Sequence, residues 1–472
     1  MVFIVQLGAC KPRETPEDTL MVNWVADIAP ANGDARVVIE AADKRINAND
    51  PMANSKYKLS RDLAKYAADK LDEKGYKINF VDWSWDAALV QKQTNALMSS
   101  GGGDAEVFIG DPMWMKNYVY MNGMLPFPKD LQSHIKDTML PSAYSSMTVD
   151  GEIYGVNIYT TPMVLFVNMN IADMVFGEGN FVPPKTWQDF LDLSAAVELY
   201  ARNNSKPFMP GAILVQAANG GYLRNNVFFR QQGFDFESSE APQFNNANVK
   251  ETLKFLTEVC KLNSGKVTYT DLNNLLTKFV NGESMFYMES SIHCKTSHLA
   301  ATSKIPNVNY YPIPVPHVVP SDPQYNPDDF YGTSDAEGTM ICTLALGVPN
   351  YVRESKREAA FEYIRAMIDE TPQRAIRDEK SLCALNKAVV DDAEFIAKPE
   401  NAYAVMFANF LRSPNMQSVP TFKYQNSKAW SQIGNAITRS TNPSVLNTIG
   451  SGDYDTFMSD SQNQLYRYWQ QG

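Results

Sequence analysis

The sequence predicts an α/β protein built on parallel, doubly wound sheets, and three observations predict it. Between residues 20 and 109, strand-like apolar runs and amphipathic helical stretches alternate as strand, helix, strand, helix, strand. A second region of the same character runs from Trp187 to about residue 300. At 472 residues the chain exceeds one ordinary domain, so two large units or about three smaller ones are expected.

Each element has a local reason. Leu20 to Val25 is a first strand, and residues 27–57 read as an insertion after it. A helix over 59–74, capped by Ser60, places Leu63, Ala67 and Leu71 on one face. Tyr76 to Val81 is the next strand, and Asp86 caps a helix reaching about Met98. Ser99 to Gly103 is a break before the strand Ala105 to Ile109. Asp150-Gly151 suits a two-residue hairpin turn, and Val164 to Val167 is a buried strand. After Pro183-Pro184, Thr186 N-caps a helix with Gln188 and Asp189 in its first turn. A helix at 247–262 aligns Val249, Leu253, Leu256 and Cys260. Tyr310 to Pro316 is extended, Gly338 to Val348 is a strand, and a helix from Glu358 turns Phe361, Ile364 and Ile368 inward.

The bulk numbers exclude several classes. An apolar fraction of 44% supports sizeable cores, and a net charge of −11 argues against nucleic acid as a partner. No run of 18 apolar residues occurs, so no membrane-spanning helix is expected. No nucleophile elbow or phosphate loop is present, and Gly101-Gly102-Gly103 precedes a strand rather than a helix. His293 and His298, five residues apart, would sit about 140° from each other on a helix, so neither a metal nor any other cofactor is expected. Cys260, Cys294, Cys342 and Cys383 show no CxxC spacing; Cys260 and Cys342 read as small core residues, and a disulfide within the four stays open. Asp322, Asp328, Asp329 and Asp335 do not form a calcium loop.

Five motifs in order carry a family resemblance. Residues 150–190 contain Asp150-Gly151 followed by Ile153-Tyr154-Gly155, the run ending at Asn168, and Pro183-Pro184-Lys185-Thr186-Trp187. The small-residue turn at 99–103 leads into a strand, and Phe279 to Met285 stands where the family has F-x-x-G-x-x-A-M, keeping its Phe and Gly. The helix near Glu358 and the stretch around Trp430 complete the set. Together these resemble the sugar-type extracellular solute-binding proteins of ABC importers (family 1, maltose-binding-protein-like), over about residues 59–440. The resemblance implies a two-lobed fold of periplasmic-binding-protein type II, each lobe a doubly wound sheet. It implies lobe 1 over 20–159 and 310–369, lobe 2 over 160–309 and 370–472, and hinge crossings near 157–163, 306–316 and 369–375. Val167 to Asn170 departs from the family's Tyr-Asn-Lys-Asp, and Asn157 stands near where a proline is common.

The resemblance further implies a monomeric, non-enzymatic receptor that passes a sugar to permease subunits. Leu7-Gly8-Ala9-Cys10 resembles a bacterial lipobox, with Cys10 as the lipidated residue and Lys11 to Thr19 as a tether. The short leader points to a truncated or misassigned start codon. Aromatic platforms with polar acceptors suit a sugar's apolar face and hydroxyl rim. The candidate ligand contacts are Trp83, Trp85, Asp111, Trp114, Tyr159, Tyr222, Glu289, Asp335 and Trp430, with Trp430 the foremost stacking residue. Ser290-Ser291 replaces a family tryptophan beside Glu289, and Trp187 is expected to be structural. The alternatives are the same fold binding a peptide, polyamine or other polar solute, or a secreted enzyme acting on polysaccharide, since glycosidase carboxylates need no local motif.

Overall fold

A computed structural model describes residues 16–25, 33–46, 51–83, 105–110, 112–213, 220–232, 243–262, 272–294, 305, 307–314, 316, 339–379, 381–412, 417–418, 439 and 454–470. Strand β1 (Thr19–Val25) is followed by the short β2 (Gly33–Asp34) and helices α1 (Ala35–Ile46) and α2 (Pro51–Asp72). The stretch expected as an insertion therefore holds a helix of its own, with Ala35, Val38 and Ala42 buried. The helix expected from residue 59 begins at Pro51, where a proline costs no internal hydrogen bond, and Ser60 lies in its interior. β3 (Lys77–Trp83) pairs in parallel with β1, Val25 facing Trp83. β4 (Phe108–Gly110) continues this layer through a parallel bridge between Val22 and Val107. The expected helix at 86–98 and the glycine break lie outside the described residues.

Helices α3 (Pro112–Tyr120) and α4 (Lys129–Thr138) lead to a hairpin of β5 (Thr148–Val149) and β6 (Glu152–Ile153). Asp150 and Gly151 have φ of 49° and 82°, the left-handed pair that a tight hairpin turn requires. Then comes β7 (Gly155–Asn168), 14 residues long and buried along nearly its whole length. Its first part pairs antiparallel with β11 (Thr339–Gly347), its second with β9 (Ser284–Ser290) and β10 (Val308–Tyr311). One continuous strand thus joins two layers.

The second layer follows from helix α5 (Met169–Phe176) onward. Helix α6 (Trp187–Asn203) opens with a capping box, Thr186 and Asp189 each accepting from the other's backbone N–H. β8 (Met209–Ile213) runs parallel to β9; α7 (Gly220–Gln231) packs against α8 (Ala247–Leu262) and β11, while α8 and α9 (Leu272–Val280) pack on β8 and β9. Gly211, at φ 131°, comes so near that a Cβ there would lie 2.0 Å from the carbonyl oxygen of Phe286. Trp187 is buried and stacks on Phe255 at 4.4 Å; its Nε1 donates to Gln231 Oε1 at 3.0 Å and to the Pro314 carbonyl at 3.1 Å. Its role is structural, as expected. The core centres on Phe166, whose ring meets Phe279, Tyr287 and Tyr310 at 6.0, 5.4 and 5.2 Å.

The remainder comprises α10 (Glu354–Ile368), α11 (Glu370–Asp378), α12 (Lys387–Val390), α13 (Ala393–Ile396), α14 (Ala402–Phe410), β12 (Gln417–Ser418) and α15 (Tyr454–Gln470). α10 and α11 pack on α2, and Tyr66 donates to Asp369 at 2.9 Å. Lys387 Nζ donates to the carbonyls of Lys136 and Asp137 at the end of α4. From α14, Tyr403 and Phe407 reach Tyr310. Cys260, Cys294 and Cys383 are buried thiols.

Candidate functional site

The register of β7 locates the site. Gly110, the carboxyl end of β4, lies opposite Ala345, which faces Asn157. β4 runs in the same sense as β7, so its end points past Asn157 toward higher numbers. The bridge at Val22 and Val107 brings Val25 and Trp83 level with Gly110. From the other side, β9 runs against β7 and ends with Ser290 opposite Met163, while Ile213 of β8 is level with Met288. The carboxyl ends of both layers therefore converge on residues 157–163, an interval of about 20 Å at strand rise. Open α/β sheets bind ligands beyond such ends.

Several candidates sit on elements around this interval. Trp83 closes β3, Trp114 lies in the first turn of α3 directly after β4, and Tyr222 lies in the first turn of α7. Tyr159 is half-buried in the middle of the interval, opposite Leu344. Glu289 lies one residue before the end of β9. Trp85, Asp111, Asp335, Trp430 and the lipobox residue Cys10 lie outside the described residues, as do His298, Asp322, Asp328 and Asp329.

Glu289 is 1% exposed and forms an ion pair with the guanidinium Nε of Arg224, whose side chain is 13% exposed. Its second oxygen accepts from the Ser290 backbone N–H at 2.9 Å. Beside it a polar seam ties the two layers. Ser290 Oγ and Thr161 Oγ1 lie 2.6 Å apart, Ser291 donates its N–H to the Pro162 carbonyl, and Ser291 Oγ donates to the Ser381 carbonyl at 3.0 Å. Thr160 and Cys383 exchange both backbone hydrogen bonds. Gln373, fully buried, donates to the Ile158 carbonyl at 2.7 Å and accepts from the N–H groups of Leu385 and Asn386. Asn157 donates to the Ser142 carbonyl at 3.2 Å.

Electrostatics behind the seam are set mainly by burial. It pushes the Tyr287 hydroxyl well above its ordinary range, with the Glu289 charge adding to the rise. Burial holds the His293 imidazole below its usual value, against the upward pull of Glu289. Tyr287 and His293 Nδ1 are 2.8 Å apart. Burial also raises the Cys294 and Cys383 thiols, which leaves them unreactive as nucleophiles. Among the described residues no group of three His, Cys, Asp or Glu side chains is placed to hold a metal ion.

Sequence reasoning passed over Arg224, Thr161, Ser290 and Gln373 as site residues. A signal for the first exists: Arg224-Asn225-Asn226 puts three polar residues on a helix whose next residues are Val227-Phe228-Phe229. Such a polar run entering a core has a partner to find. Gln373 carries no comparable mark.

One strand running through two layers, with carboxyl ends converging on its middle, defines a two-lobed binding protein. Three solved structures share this fold. Maltose-bound MalE3 of T. maritima is 13% identical, with 95% of this chain and 99% of that one covered and a TM-score of 0.67. The cyclic alpha-maltosyl-1,6-maltose binding protein of Arthrobacter globiformis is 13% identical over 96% and 99%, at a TM-score of 0.65. An ABC transporter solute-binding protein of Agrobacterium vitis S4 with bound D-mannitol is 15% identical over 96% and 98%, at 0.64. No curated protein matches the chain in sequence. The profile of the bacterial extracellular solute-binding proteins matches residues 63–403, and the chain belongs to that family. The family is one of solute binders rather than enzymes and works outside the cytoplasmic membrane. Among the described residues no helix is long and apolar enough to cross a membrane.

Proposed function

We propose that this protein captures a carbohydrate, an oligosaccharide in particular, between its two lobes and delivers it to the permease of an ABC importer. The convergence of both sets of strand ends on residues 157–163 carries this reading. The maltose, cyclic maltosyl-maltose and mannitol named for the three related structures support the solute class. So do the aromatic and polar candidates at those strand ends: Trp83, Trp114, Tyr159, Tyr222 and Glu289 near the interval, and Trp85, Asp111, Asp335 and Trp430 by sequence. The protein acts as a monomeric receptor without catalysis, held to the membrane through lipidated Cys10.

Closure turns on the three passages between lobes. The contacts of β7 favour the first at 157–163; the second, at 306–316, takes in β10, which pairs with Leu165 to Asn168 of β7. For the third, the packing of α11 on α2 and of Lys387 on α4 favours a passage after α12 over one at 369–375. Calorimetry of the purified chain against neutral sugars, peptides and polyamines tests the function. Saturable binding of a sugar without product is expected; turnover, or binding of peptides alone, overturns it.

A further inference from the structure

Two charges at the end of β9 have different access to solvent. Glu289 is 1% exposed, whereas its partner Arg224 is 13% exposed, so what reaches solvent from this pair belongs to the arginine. Glu289 is held from two sides, by the Arg224 guanidinium and by the Ser290 N–H. It stands opposite Val164 on β7, one residue from the converging interval. Arg224 sits in the second turn of α7, which follows β8.

We propose that Arg224 is the ligand-contacting residue of this corner and that Glu289 is a positioning residue, a buried counter-charge that aims and neutralises the guanidinium. The inference rests on the reading of residues 157–163 as the ligand cleft. Its consequence is selectivity for uncharged solutes. A ligand carboxylate approaching Arg224 meets a guanidinium whose charge is already matched, with the Glu289 carboxylate at contact distance behind it. A ligand ammonium meets the cation first and cannot reach the buried anion. A hydroxyl suffers neither repulsion and takes the strength of a charge-assisted hydrogen bond. The corner therefore accepts polyols and refuses both acids and amines.

The test is calorimetry on the full chain with three matched oligosaccharide panels: neutral, glucuronate-bearing and glucosamine-bearing. Wild type is expected to prefer neutral members by about tenfold or more over both charged panels. Glu289→Gln removes the buried carboxylate paired with the guanidinium, so affinity for the glucuronate panel should rise by about tenfold. Arg224→Lys keeps the charge and loses the planar fork, and should weaken neutral binding by about tenfold. A wild-type preference for a charged panel overturns the inference. So does a folded Glu289→Gln protein with unchanged selectivity, or unchanged neutral affinity in Arg224→Lys. If Glu289→Gln does not fold, the wild-type panels and Arg224→Lys still decide. If wild type ignores all three panels, the carbohydrate reading fails separately. The charge rule is then judged on terminally blocked against free peptides, where preference for the charged form would overturn it.

Discussion

Between Gly155 and Pro162, strand β7 faces a partner whose register slips twice, and it buries Asn157, Thr160 and Thr161. Between Met163 and Val167 it lies in regular ladders, against β9 along its length and against β10 from Leu165 on, and every residue is apolar and at most 1% exposed. The same strand thus serves two purposes. Its second half is a close-packed core in which any change of shape costs energy. Its first half is held by side-chain hydrogen bonds from Gln373 to the Ile158 carbonyl, between Ser290 and Thr161, and from Asn157 to the Ser142 carbonyl, which can exchange partners or lengthen with little loss of packing. That difference suits a rigid lobe beside a proposed hinge.

Phe166→Ala is the strongest way to break the comparison. It empties the centre of a ring cluster and should cost about 3–5 kcal/mol of stability in urea unfolding. A loss under 1 kcal/mol (about the cost of a single methylene) would mean the second half is not a tightly packed core. Gln373→Leu should cost about 2–3 kcal/mol, because it strands the Leu385 and Asn386 N–H groups and the Ile158 carbonyl. Hydrogen exchange should then speed up over residues 157–162 and stay unchanged over 163–167. Equal speeding in both halves would erase the distinction.

Thr161→Val keeps shape and removes the link to Ser290, so about 1 kcal/mol is expected. Its sharper readout is ligand affinity, which should move more than stability does if the seam sets closure. The smallest effect is in pH. Burial depresses the folded pKa of His293, so the unfolded chain binds a proton first and stability falls as pH drops below about 6.5. That loss should be confined to the second half, which backs onto Tyr287 and His293. His293→Phe should flatten the decline in a melting series from pH 7.5 to 5.5; a decline of the same slope assigns it elsewhere.

What neighbouring residues decide was legible from the chain. The apolar run Val164 to Val167, the Asp150-Gly151 turn and the Thr186 cap are decided by residues within a few positions of each other. The helix at 247–262 was legible for the same reason: Val249, Leu253, Leu256 and Cys260 repeat at the helical period, and all four are buried. Polar contacts between distant parts of the chain were less so. Gln373 meets Ile158 across 215 positions, and Arg224 meets Glu289 across 65, distances over which no periodicity carries information. Helix α1 was missed because a separate short helix before α2 reads, by length alone, as an insertion. The family resemblance rested on turns and caps, which say which fold is built and little about which solute it holds.

Gly211 has an evolutionary consequence. The sheet closes so tightly there that even a methyl group would overlap the Phe286 carbonyl, so selection at this position is set by the backbone of a neighbouring strand. Most other positions vary within this fold, since the solved structures named above are only 13–15% identical to this chain. Position 211 has no such freedom. In any lineage that keeps β8 beside β9 in this register, it should remain glycine whatever solute is bound.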